Sequence, residues 1–146
     1  MEHHSTQRAR GDEGAALVEM SIVAVLLSML VFGIICYGYL LSFRQNLTDA
    51  ATEGARAGAV ASSGNATTVA TAAVTQAVSA FGQTCGNGAT TCLVTVATCV
   101  NSPANQCVTV KVTYDYANNP LLPNIPIVSA AFPSTMSQSA TAQINP

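Results

Sequence analysis

Twenty-four consecutive residues, Met20 to Phe43, carry no charge. As a helix rising about 1.5 Å per residue they extend roughly 36 Å, more than the roughly 30 Å of a bilayer's hydrocarbon core. A cleaved secretory signal has an apolar region of about 7 to 15 residues and ends in small residues. This run closes instead on Tyr39, Leu40, Leu41, Ser42 and Phe43, so it reads as a retained membrane helix. Tyr37, Tyr39 and Phe43 near its end are expected at the membrane interface, where aromatic rings place an apolar body and a polar rim.

The rest of the composition narrows the function. Charged residues make up 8% of the 146, against roughly a quarter in soluble domains. A net charge of -2 offers no basic face for nucleic acid, so no nucleic-acid partner is expected. Both histidines, His3 and His4, precede the apolar run. Beyond it the side-chain carboxylates are Asp49, Glu53 and Asp115. That set holds no catalytic triad and no metal cage, so no enzyme, cofactor, metal site or small-molecule substrate is expected.

Arg8 and Arg10 precede the span and Arg44 follows it. Positive residues concentrate on the cytoplasmic side, which places the N-terminus in the cytoplasm and exports everything after Arg44. Cysteine usage agrees with export. Cys85, Cys92, Cys99 and Cys107 form an even set beyond the span, and in an oxidising compartment such a set reads as two disulfides. Their spacing does not suit a structural zinc site, which favours pairs two to four residues apart. Of the three possible connectivities, Cys85 with Cys92 and Cys99 with Cys107 closes two short loops. Cys36 lies within the span and reads as a small apolar residue.

After the span, Leu47, Ala50, Ala51, Gly54, Ala55 and Gly58 recur at helical spacing, so the membrane helix is expected to continue outward without a break. Asp49, Glu53 and Arg56 fall on its other side, with Glu53 and Arg56 placed to pair weakly. Ala50, Gly54 and Gly58 form a helix-packing stripe, since small residues let another helix approach closely. Ser62, Ser63, Gly64 and Asn65 interrupt the pattern, with Asn65 as N-cap of a second helix. That helix is expected to bury Ala66, Val69, Ala70, Ala73, Val74, Ala77, Val78 and Phe81, and to end at Gly82.

From Leu93 the period becomes two. Val94, Val96, Thr98 and Val100 share one face of a first strand, and Val108, Val110, Val112, Tyr114 and Tyr116 one face of a second. The connection is expected to run from Asn101 to Gln106, with Cys99 and Cys107 pointing away from the valines. The four prolines from Pro120 to Pro133 predict an irregular connection, and Thr135 to Ile144 a third strand. The fold class is therefore α+β. A long membrane-spanning helix leads into an exported helical part, then a second amphipathic helix and a small disulfide-linked antiparallel sheet. The expected divisions are a leader over 1–14, the membrane helix over 15–43, an exported helical region over 44–82 and a β-rich region over 83–146.

Two motifs flank the span. Gly14-Ala15-Ala16-Leu17-Val18-Glu19 follows a short charged leader and resembles the processing site of type IV pilin-like proteins. The resemblance implies a prepilin peptidase that cuts between Gly14 and Ala15, and an assembly role for Glu19 five residues into the mature chain. The stretch Leu47 to Ala59, with its Glu53-Gly54-Ala55-Arg56 core, resembles TadE-like minor pilins of tight-adherence (Tad, or Flp-type) pili. At the Glu19-Met20 step an aromatic residue is common in the family where this chain has Met20.

Physical chemistry gives Glu19 a reading of its own. A carboxylate drawn into an apolar bundle needs a positive partner, and cleavage would create an amino group on Ala15 that is mostly protonated at neutral pH. The sequence thus reads as a TadE-like pseudopilin, a structural component of a Tad-type adhesive pilus. Its expected partners are membrane lipid, the peptidase and other pilins or pilus-assembly proteins, in a homo- or hetero-oligomer. It is expected in the cell membrane as a single-pass protein and, once assembled, outside the cell in a pilus. The alternative is an uncleaved single-pass anchor whose ectodomain binds or adheres.

Overall fold

The computed structural model describes residues 6–62, 64–122 and 132–144, with side chains from Gly14 onward. The prolines Pro123 and Pro126 and the side chains of Arg8 and Arg10 lie outside the described residues. Five elements follow in order: helices α1 (Thr6–Val60) and α2 (Ala66–Ser79), then strands β1 (Thr90–Cys99), β2 (Ser102–Asp115) and β3 (Thr135–Gln143). This is the expected α+β order, including the third strand. By compactness the chain divides into Met1–Gly38 and Tyr39–Pro146.

In the first unit, α1 is a helix with almost nothing packed on it. The large apolar side chains from Leu17 to Ile35 are between 45% and 72% exposed. A soluble domain's core helix would bury them, so this surface requires an apolar surrounding. The two serines at its start and middle suit such a surrounding. The Ser21 hydroxyl donates to the Val18 carbonyl and the Ser28 hydroxyl to the Ala24 carbonyl, each at 2.7 Å, which leaves neither hydroxyl without a partner.

The second unit has a continuous core. Phe43, Leu47, Ala50, Ala51 and Ala55 of α1 are buried, as are Ala66, Ala70, Val74 and Val78 of α2 and Val108, Val110, Val112 and Tyr114 of β2. Phe43 departs from expectation. It is fully buried rather than interfacial, and its ring packs edge-on against Phe81 and Tyr114 with centroids 5.7 and 4.8 Å away. The reason is periodic: Phe43 stands one turn before Leu47, on the same face as Ala50 and Gly54.

On α2 the buried stripe is narrower than expected. Ala66, Ala70, Val74 and Val78 repeat every fourth residue, while Val69 is 39% exposed and Ala73, Ala77 and Phe81 are half-buried. A helix laid against a stripe of small residues inserts one row of side chains, and Val69 is off that row. Asn65 occupies the N-cap position, yet its side chain makes no capping hydrogen bond. At the other end Gly82, at φ +68, permits a Schellman closure. Its N–H donates to the Ser79 carbonyl (2.9 Å), and the Gln83 N–H donates to the Val78 carbonyl (3.3 Å).

The sheet is antiparallel in the order β1-β2-β3. The β1–β2 connection differs from expectation. Only Val100 and Asn101 separate the strands, Val100 is 97% exposed, and β2 already begins at Ser102. Pro103, which cannot donate to a ladder, lies inside β2 rather than in the connection. The register, however, jumps from Thr98 opposite Gln106 to Cys99 opposite Ser102. Pro103, Ala104 and Asn105 therefore need no partners on β1.

Candidate assembly surface

Both bridges join residues close in the fold: Cys85 to Cys92 with Cα atoms 5.4 Å apart, and Cys99 to Cys107 at 5.0 Å. The first closes a loop over Gly86 to Thr91, in which the Gly86 N–H donates to the Thr90 carbonyl (2.8 Å). The buried Thr90 hydroxyl in turn donates to Gln83 Oε1 at 3.2 Å. The second bridge ties the β1–β2 turn. Cys107 keeps the outward phase of Thr109 and Lys111, whereas Cys99 follows the register jump and is 7% exposed. Cys36 is unpaired and half-buried.

Along α1 the small residues are placed by the fold. A Cβ built on Gly54 would collide with Val74 Cγ2, and one on Gly58 would lie 3.1 Å from Ala70 Cβ and from Val108 Cγ2. Ala50 is buried beside them. The helix that comes close is α2 of the same chain, with β2 behind it. The close approach accounts for glycines that otherwise cost a helix about 1 kcal/mol each.

The polar side of the same stretch is exposed. Asp49, Glu53 and Arg56 all face outward, and the expected Glu53–Arg56 pair is not formed. Exposed side chains three apart gain little from pairing, which is worth a few tenths of a kcal/mol at most.

Glu19 is exposed on the apolar part of α1, and among the described residues it has no ionic partner. Gly14 and Ala15 are exposed as well, with open space around Gly14. Among the described residues no three His, Cys, Asp or Glu side chains gather where they could hold a metal.

Residues 14–56 match the family model of TadE-like proteins. The TadE-like segment thus begins at Gly14, takes in Glu19 and the whole apolar run, and ends at Arg56. It suggests a component associated with Tad pili, a structural rather than catalytic setting. The one long apolar helix that carries it suggests a single-pass membrane anchor. No curated protein and no solved structure matches the chain.

The sequence carries a signal for the buried place of Phe43. Phe43 ends the apolar run, as an interfacial aromatic does, yet extending the Leu47, Ala50, Gly54 period back one turn includes it. Phe81 and Tyr114, its two ring partners, lie on α2's trailing loop and on β2. No local pattern links such distant positions.

Proposed function

We propose that this chain is a pseudopilin, or minor pilin, built into or beneath a Tad-type pilus. The observation that carries the reading is the extent of the TadE-like match, from Gly14 to Arg56, on a helix whose apolar part is exposed. In this reading a prepilin peptidase cuts after Gly14, and the chain is held in the membrane by the helix that follows. The region beyond Arg44 is exported, where its bridges form.

Glu19 is the assembly residue. Alone in a bilayer it stays near the interface, where a carboxylate costs little. In a bundle of neighbouring pilin helices its charge needs a cation, and the new amino group on a neighbouring subunit's Ala15 supplies one. The pair sets the axial register between subunits. The exported unit is then a compact body carried on each anchor.

Replacing Glu19 by Ala tests this. Membrane insertion depends on the apolar run and the flanking arginines, so fractionation of the variant is expected to be unchanged while its recovery in sheared pili is lost. Normal recovery in pili would reduce Glu19 to a flanking acid. Recovery of neither wild type nor variant with pili would favour the alternative, a single-pass anchor bearing an adhesive ectodomain.

A further inference from the structure

The second unit begins inside the uncharged run. Tyr39 to Phe43 close the run and open the unit. Counted from Met20 at about 1.5 Å per residue, the roughly 30 Å of a hydrocarbon core ends at Tyr39. Phe43, one turn further on, is already buried against Phe81 and Tyr114. No spacer therefore separates the packed unit from the plane in which the span ends.

The course of the chain within the unit fixes which of its ends lies in that plane. Gly58 approaches Val108, Gly54 approaches Val110 and Phe43 meets Tyr114, so α1 and β2 run side by side in opposite directions. The helix from Phe43 to Gly58 and the strand from Val108 to Tyr114 cover nearly the same length, roughly 22 and 20 Å at their usual rises. Beyond Tyr114 the chain therefore heads back toward Tyr39. Tyr116 lies about 7 Å past Tyr114, and Tyr39 about 6 Å before Phe43 along the helix. The two tyrosines are level, and Tyr39 is near enough to Tyr114 to repel its phenolate.

This end of the unit is apolar and neutral. The Tyr116 ring packs edge-on against Phe132 with centroids 5.5 Å apart, which brings both ends of the β2–β3 connection to the level of Tyr39. Leu121 and Phe132 pack against the core, Leu122 is half-buried and Ala117 is exposed. On α1 beside them Tyr39 and Leu41 are 40% and 41% exposed. The sequence from Tyr116 to Ser134 has no charged residue. Asp115, just before it, is held by Asn118, whose backbone N–H and side-chain amide donate to its two carboxylate oxygens (3.3 and 2.6 Å). Arg44 is exposed about 7.5 Å beyond Tyr39, at the height of the headgroups.

We propose that the packed unit is seated on the bilayer from which its own helix emerges, with Ala117, Leu121, Leu122 and Phe132 in the interfacial layer beside Tyr39. The inference rests on the reading of α1 as a membrane anchor. The occupant of this surface is lipid, because the helix that enters the unit at Tyr39 leaves the hydrocarbon there. Leucine, phenylalanine and tyrosine gain by entering the interface, and no unpaired charge stands among them to lose hydration. The unit then has two attachments, a spanning helix and a contact that lies on the surface, and does not swing freely about Leu40. Its opposite end, with Val100 and Asn101 at the β1–β2 turn, is held more than about 25 Å from the lipid.

Fluorescence quenching of the full chain in phosphatidylcholine vesicles tests this. In a Cys36→Ala background, which leaves both native bridges in place, a thiol-reactive fluorophore is attached to Ala117→Cys, Leu122→Cys, Asn101→Cys or Ile35→Cys. Ala117 is exposed, so its replacement leaves the core intact. Lipid that carries a nitroxide high on the acyl chain is expected to lower emission about twofold or more at positions 117, 122 and 35, and to leave position 101 unchanged, since quenching reaches only probes close to the hydrocarbon boundary. Quenching at position 35 alone, with positions 117 and 122 open to aqueous iodide, would overturn the seating and leave the anchor standing. Positions 117 and 122 closed to iodide yet not quenched by the lipid would put protein on this surface, a second copy or another pilin, and would overturn it too. Absence of quenching at position 35 would remove the anchor reading and this inference with it.

Discussion

The Phe43 ring meets Tyr114 edge-on, with centroids 4.8 Å apart and planes at 68°. This contact joins the helix that bears the TadE-like match to the central strand of the sheet. It makes the C-terminal part of α1 part of a core rather than a free stalk. Removing the ring leaves a cavity at the meeting point of α1, β2 and Phe81, so Phe43→Ala is expected to destabilise the unit by about 3 to 5 kcal/mol. Urea unfolding of the full chain in detergent, followed by tyrosine circular dichroism, measures it.

Gly54 and Gly33 make a matched pair. Alanine at either gains helix propensity of up to about 1 kcal/mol, but only at Gly54 does the added carbon run into Val74, while Gly33 has open space. Gly54→Ala is expected to lose about 1 to 3 kcal/mol through overpacking, and Gly33→Ala to leave the unfolding midpoint where it was or raise it.

Reduction of the two bridges should be felt strongly in a unit with so thin a core. A loop of about eight residues gives a crosslink worth roughly 2.5 kcal/mol by the chain-entropy argument. Peptide mapping without reductant is expected to recover Cys85 with Cys92 and Cys99 with Cys107. A lower unfolding midpoint for Cys85→Ser/Cys92→Ser, and for Cys99→Ser/Cys107→Ser, completes the check.

Tyr114 links stability to pH at the alkaline end. Burial is the main reason its phenol is held above the usual value of 10.0, with Tyr116, Tyr39 and Asp115 adding repulsion to the phenolate. The hydroxyl also donates to the Asn119 carbonyl at 2.8 Å. Because the folded pKa is the higher one, the unfolded chain releases this proton first. The part of stability that depends on Tyr114 is therefore constant below about pH 10 and falls as the pH rises through the folded value. Tyr114→Phe should lose about 1 kcal/mol at neutral pH with the hydrogen bond and show a shallower alkaline fall.

The elements most readable from sequence were those whose signal repeats locally. Val108, Val110 and Val112 alternate, and Leu47, Ala50, Gly54 and Gly58 recur at helical spacing, so strand and helix were legible without knowledge of their partners. Where a residue's place depends on a distant neighbour, the sequence misled. Phe43 sat at the end of an apolar run and read as interfacial, Val69 fitted an ideal helical stripe that α1 has no room to receive, and Pro103 read as loop until the register jump left it without a partner. At the assembly surface, Gly14 and Glu19 were legible only as a motif. Both are exposed in the fold, so the packing of one chain carries no further signal for them.

The most direct test of the pilin-like account is the N-terminal sequence and intact mass of the protein isolated from membranes or pili. The account predicts a mature chain that begins at Ala15, with a longer precursor when Gly14 is replaced by a bulky residue. A protein that retains the residues before Gly14 in the wild-type cell would contradict it.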